Sequence, residues 1–278
     1  MRYYFSIFLV ACVTILILAG GLVTSHQAGL AVPDWPLSYG QLMPPMVGNI
    51  FWEHGHRMIA GCTGIFMFIL AVWSQIQERR SWFKKLAWAS MGAVFLQALL
   101  GGLTVLLLLP AAVSIFHACL AQTFYCLTVF MAYAQSPLFE QPLLCEESFR
   151  PKLKRLSLIT LIMVFIQLIL GATERHTHHA IHAHVGFAIL VLIHLYLMVN
   201  LELHQAGNDP LIPRIAMALA VLGLVQLTLG IGSVIQTRFL HLGYTPTMDR
   251  VLFTAAHQTT GAIILALNFL NVLRIWKK

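Results

Sequence analysis

The sequence predicts an all-α integral membrane protein of eight transmembrane helices, arranged as two tandem, pseudo-symmetric four-helix bundles. Three observations carry that expectation. The composition is 59% hydrophobic and only 10% charged over 278 residues, whereas a soluble domain usually carries about 25% charged residues. The apolar residues gather into eight runs close to the roughly 20 residues that cross a bilayer. A short pattern then recurs from one pair of runs to the next. These features exclude an ordinary soluble enzyme, a disordered chain and a secreted disulfide scaffold.

The runs fall at 5–24, 54–76, 86–108, 112–134, 156–173, 181–203, 214–235 and 251–273, each end good to about three residues. The first, from Phe5 to Val23, has the position of a signal peptide. It exceeds the usual apolar core, and Gly20-Gly21-Leu22-Val23-Thr24 makes a poor cleavage site. It therefore reads as the first membrane helix.

Eight spans put both termini on one side. With the termini inside, Arg2, Arg79, Arg80, Lys84, Lys85, Arg150, Lys152, Lys154, Arg155, Arg214, Arg274, Lys277 and Lys278 face the cytoplasm. Only Arg57, Arg175, Arg238 and Arg250 face outward. Cytoplasmic loops of membrane proteins carry such an excess of Lys and Arg. The same rule explains the net charge of +7 without a nucleic-acid partner; the expected partner is the lipid bilayer.

The outer loop from Ser25 to Glu53 is rich in Gly, Pro and aromatic residues, which favour turns. The longest inner loop, from Gln135 to Arg155, divides the spans four and four. It separates an N-terminal half, residues 1–145, from a C-terminal half, residues 146–278. Of the cysteines, Cys12, Cys62, Cys119 and Cys126 lie in apolar runs, where cysteine acts as a small hydrophobe. With Cys145 they form no metal-binding spacing.

The repeat is carried by odd-numbered helices. It reads Gln97-Ala-Leu-Leu-Gly101, Gln167-Leu-Ile-Leu-Gly171 and Gln226-Leu-Thr-Leu-Gly230, with a degenerate copy at Leu16-Ile-Leu-Ala-Gly20. Each following even-numbered helix begins with a histidine: His56, His117, His184 and His257. The glycines suit close helix packing, and a flat cofactor needs the same small residues.

Eleven of the 13 histidines lie at or near the outer face: His26, His54, His56, His117, His176, His178, His179, His182, His184, His241 and His257. His194 and His204 lie on the inner side. Ionisable groups in membrane helices are costly and mark function. Imidazole ligates iron, copper, zinc and nickel. A zinc or copper site would add Cys, Asp or more His to one cluster. Here each half supplies two histidines from separate helices, His56 with His117 and His184 with His257. That arrangement suits haem in a four-helix bundle, held by axial imidazoles. The outer arginines Arg57, Arg175, Arg238 and Arg250 either hold haem propionates or snorkel to the interface.

The halves differ chemically. Glu53 precedes His56 by three residues, on a shared helix face, whereas Ile181 takes that place before His184. A carboxyl beside one site suggests chemistry there and electron holding at the other. In a low-dielectric setting it is suited to carrying protons; the alternative is a helix N-terminal acid. The tract Glu174-Arg175-His176-Thr177-His178-His179 reads as a wet loop over the second site in preference to a surface metal site.

Gly20-Gly21-Leu22-Val23-Thr24, Gly29-Leu30-Ala31-Val32-Pro33-Asp34-Trp35-Pro36 and Glu53-x-x-His56-Arg57 resemble the haem A synthase family. The likeness extends over the whole chain. It implies conversion of haem O to haem A for terminal oxidases, a porphyrin methyl being oxidised to a formyl by successive hydroxylations. It implies that His56 and His117 mark the substrate haem site, with Glu53 needed for turnover. It implies that His184 and His257 ligate a haem b cofactor, with His182 a close competitor of His184. The partners it implies are haem O synthase and an electron donor, and it leaves a homo-oligomer open. The expected location is the bacterial cytoplasmic (inner) membrane, multi-pass, with both termini cytoplasmic.

One departure stands out. Many relatives carry a cysteine pair flanking Pro-Asp-Trp-Pro-Leu, where this chain has Val32 and Ser38. A disulfide or thiol step is therefore unavailable to it. Two other functions compete. A non-modifying dihaem b-type cytochrome taking electrons from quinol explains the histidines but leaves Glu53 without a purpose. A repeat-built transporter of haem or a metal ion needs a polar path, and the inner halves are almost uniformly apolar.

Overall fold

The computed structural model describes residues 1–240 and 245–277, so His241 and Lys278 lie outside the described residues. Eight long helices make the fold: α1 (Arg2–Ser25), α2 (Gly48–Gln77), α3 (Ser81–Leu106), α4 (Ala111–Ala134), α5 (Arg150–Thr177), α6 (Ile181–Gln205), α7 (Ile212–Val234) and α8 (Met248–Trp276). All eight are long and apolar enough to cross a membrane. Among the described residues there is no β-strand, only one isolated bridge between Ser38 and Gln41.

Several helices outrun the apolar runs that mark them. α2 begins at Gly48 in place of 54, and α5 runs from Arg150 to Thr177 in place of 156–173. Hydropathy registers only the bilayer, while backbone hydrogen bonding continues the helix beyond it. Prolines set some starts: α5 and α7 carry one in the first turn, where a missing N–H costs nothing. A π-helical turn, Ile235–Leu240, extends α7.

Packing repeats itself. α1 and α3 each pack on α2 and α4, closing one four-helix ring. α5 and α7 each pack on α6 and α8, closing a second. The rings meet where α1 packs on α8 and α4 packs on both α5 and α8. A core of Leu9, Val13, Met67, Phe83, Phe124, Met198, Leu219 and Leu265 runs through both. Large apolar side chains such as Ile65, Phe95, Tyr196 and Leu224 point outward, as lipid contact requires.

The end that carries both termini is held by two charge clusters. Glu78 receives Arg2 at 2.7 Å and Arg80 at 3.0 Å. Arg274 and Asp209 form a fully buried ion pair at 2.6 Å. Arg274 also donates to the carbonyls of Leu138, Gln141 and Pro142, tying the inner loop to α8. The opposite end carries the four repeated histidines, His56, His117, His184 and His257.

Candidate functional site

Each even-numbered helix brings a histidine against a glycine of the helix before it. A Cβ on Gly20 would lie 3.2 Å from a ring carbon of His56, and one on Gly101 3.2 Å from His117. The same distances are 3.0 Å for Gly171 and His184 and 2.9 Å for Gly230 and His257. The repeated glycine is thus the seat of the following imidazole. One turn earlier stands the repeated glutamine. Gln97 Nε2 lies 3.2 Å from His117 Nε2 and donates to the His117 carbonyl at 3.0 Å. Gln167 Nε2 lies 3.0 Å from His184 Nδ1 and donates to its carbonyl at 2.9 Å. Gln226 Nε2 lies 3.5 Å from His257 Nε2. Sequence reasoning missed these contacts, although the four-residue spacing from glutamine to glycine was their signal.

His184 and His257 face each other with ring centres 6.2 Å apart and planes at 82°. Two imidazoles on opposite sides of one metal ion have centres roughly 6 Å apart, given metal–nitrogen bonds of about 2 Å. His182, by contrast, is exposed. The Nδ1 atoms of His56, His117 and His257 are buried without a hydrogen-bond partner, a condition native proteins rarely leave unanswered. Among the described residues no three His, Cys, Asp or Glu side chains gather as a metal cage. Paired imidazoles, small residues at their backs and apolar surroundings fit a haem.

The first ring carries a further layer. Glu53 is buried in the second turn of α2, not at its N-cap. Its Oε2 accepts the Val32 N–H at 2.8 Å, and its Oε1 pairs with Arg57. The helix-end alternative is thereby corrected: the carboxylate serves the outer loop. Arg57 also donates to the carbonyls of Asp34 at 2.8 Å and Leu37 at 2.9 Å. Asp34 in turn accepts the N–H groups of Gly40 at 2.8 Å and Tyr39 at 2.7 Å, which hold its carboxyl below the usual range. The indole of Trp35 covers Gly102 of α3, where a Cβ would come within 2.6 Å of it. His26 stacks on Trp52 at 4.1 Å. The loop is thus fastened to α2 and α3 at the end of the ring that carries His56 and His117.

In the second ring Arg175 donates to Ser25 Oγ at 2.8 Å, and Ser25 Oγ lies 2.8 Å from Thr254 Oγ1. These contacts join α1, α5 and α8 where the rings meet. Glu174 pairs with Arg238 and accepts the Ala180 N–H at 2.9 Å. The histidine tract is therefore not a loop: Glu174 to Thr177 form the last turn of α5, and only His178 and His179 lie in the link to α6.

Residues 46–183 match the family model described as cytochrome oxidase assembly protein. That stretch holds Glu53, His56, Arg57, His117 and Arg175. Over that stretch, just under half of its length, the chain is similar to this family. Its similar proteins include bacterial haem A synthases. That of Alkalihalophilus pseudofirmus is 35% identical over 94 residues, 32% of this chain and 31% of its own. That of an Exiguobacterium species is 26% identical over 190 residues, 67% of this chain and 61% of its own. That of Bacillus pumilus is 31% identical over 172 residues, 59% of this chain and 55% of its own. The chain thus matches between about a third and three fifths of these relatives' lengths. With eight helices long and apolar enough to span a membrane and with bacterial relatives, the chain is a multi-pass bacterial membrane protein. The likeness to haem A synthases implies that haem is involved.

Proposed function

We propose that this protein is a haem A synthase, oxidising a methyl of haem O to a formyl by successive hydroxylations for terminal oxidase biogenesis. The observation that carries this reading is the contrast between two histidine sites of one design. Only the first has a buried carboxyl, Glu53, three residues from its histidine and under a fastened loop.

His56 and His117 would hold the substrate haem O, and His184 and His257 a haem b. Bound haem supplies the iron redox chemistry. The chain's residues do the rest. The glycines let the imidazoles stand close to the preceding helices. Trp35 and the loop keep water from the first site. Glu53 holds and passes the proton at its carboxyl, and Arg57 fixes that carboxyl in place. Arg175 ties the second ring to α1. The protein sits in the cytoplasmic membrane with both termini inside, takes its substrate from haem O synthase and receives electrons from a separate donor.

The test is mass spectrometry of haem extracted after co-expression with a source of haem O. Haem A or hydroxylated haem O is expected from the wild type, and neither from Glu53→Gln or His56→Ala. Full conversion by Glu53→Gln would remove the catalytic role of Glu53. Unmodified haem O beside haem b in the wild type would favour an electron-transferring cytochrome.

A further inference from the structure

An apolar groove of about 430 Å³ lies where the two rings meet, at the end that carries the termini. Phe130 of α4, Leu158 of α5 and Val272 and Leu273 of α8 line it, with Phe139 and Trp276. The remaining lining residue is Lys277. Its Nζ is buried without a hydrogen-bond partner, 4.7 Å from the centre of the Phe139 ring. A second ammonium, that of Lys154, stands 5.5 Å from the Trp276 ring, and the Trp276 indole N–H donates to the Lys154 carbonyl at 3.2 Å. Among the described residues neither lysine has a carboxylate partner. The nearby acids are engaged elsewhere, Glu140 with Arg80 and Glu147 with Arg150.

These features call for an anion with an apolar body. A buried ammonium without a counter-charge is costly, and an aromatic face offsets only part of that cost. A free anion would leave the apolar walls uncovered. A neutral or zwitterionic lipid would leave the ammonium groups without a net counter-charge. Basic pockets between spanning helices take acidic lipid head groups, and tryptophan marks the head-group level. The groove is also remote from the histidines, because α8 carries Leu273 roughly 24 Å beyond His257. Its occupant therefore does not touch either histidine pair.

We propose that this groove binds one acidic phospholipid, with its phosphate on Lys277 and Lys154 and an acyl chain along the walls. The chain then touches α4 of the first ring and α5 and α8 of the second. The bound lipid fastens the rings together at the end opposite the histidines, and it does so whatever those histidines hold.

The test is native mass spectrometry of the full-length protein in detergent, titrated with dioleoyl phosphatidylglycerol and, separately, dioleoyl phosphatidylcholine. The wild type should retain one phosphatidylglycerol in preference to phosphatidylcholine. Lys277→Gln and Lys154→Gln should each weaken phosphatidylglycerol binding about fivefold, and the double variant roughly 25-fold, as expected for the loss of one and two cations at a lipid surface. Lys277→Arg, which keeps the charge, should retain the preference. Leu158→Trp, which fills the groove and spares both lysines, should lower binding of the lipid as well. Equal retention of the two lipids overturns the proposal, as does a preference that survives the double lysine variant. Binding that ignores Leu158→Trp removes the groove from it, and stronger retention of a short-chain quinone than of either lipid replaces the occupant; either result overturns it.

Discussion

Ser38 and His54 are hydrogen-bonded, Oγ to Nδ1 at 2.8 Å, and both are buried. Together with the Val32 N–H on Glu53, this contact fixes the outer loop to α2. Val32 and Ser38 flank the Pro33-Asp34-Trp35-Pro36-Leu37 stretch of that loop. The loop is therefore held at both by hydrogen bonds to adjacent residues of α2. Removing the hydroxyl would leave His54 Nδ1 buried and unanswered, beside an Nε2 that already has no partner. Ser38→Ala should destabilise the protein by about 1–3 kcal/mol. Denaturation in detergent checks this, and an unchanged midpoint would show that the contact does not hold the loop.

The seating glycines give a graded expectation. An added methyl would stand 2.9 Å from the His257 ring at Gly230, 3.0 Å from His184 at Gly171, and 3.2 Å from His56 and His117 at Gly20 and Gly101. The tighter the contact, the further the imidazole must move. Gly230→Ala and Gly171→Ala should lower haem occupancy of the second site about tenfold or more, as misplaced ligands do. Gly20→Ala and Gly101→Ala should have smaller effects on the first. The ratio of haem to protein in each variant measures this, and equal loss from all four would separate haem binding from these distances.

Much of this was legible in the sequence, for definite reasons. Eight helices follow from apolar runs of membrane length, and four histidines from a repeat with a fixed phase. The repeat also contained the glutamines, but one amide in an apolar face carries no sign of what it touches. The Ser38–His54 contact was hidden because a loop rich in Gly and Pro has no period from which to read a partner. Arg274 was legible as an inner-side charge. Its full burial against Asp209, 65 residues away, depends on how two helices and a loop meet, which hydropathy does not encode.

Acid should loosen the end that carries the termini. Burial alone would raise the Glu78 carboxyl, but hydrogen bonds and charge from Arg80, with charge from Arg2, outweigh it and lower its pKa from 4.5 to about 2. A folded-state value below the unfolded one stabilises wherever the unfolded carboxyl is ionised. The contribution is therefore complete above pH 4.5 and is lost as pH falls toward about 2. Melting temperatures of the wild type and Glu78→Gln should differ at neutral pH and converge across that interval. A gap that persists at pH 2 would mean that Glu78 acts through packing and not through its charge.

On the proposed haem reading, what surrounds His182 and His184 favours His184. His182 is exposed on α6. His184 meets the Gly171 seat, the Gln167 amide and, across 6.2 Å, the ring of His257. A ligand needs its partner on the opposite side of the metal and a neighbour that holds its ring. Only His184 has both. His184→Ala should therefore remove the second haem, seen as loss of about half the Soret absorbance if two haems are bound. His182→Ala should keep that haem with an unchanged spectrum. Retention of both haems by His184→Ala together with loss of one by His182→Ala would move the ligand to the outer position and require α6 to turn.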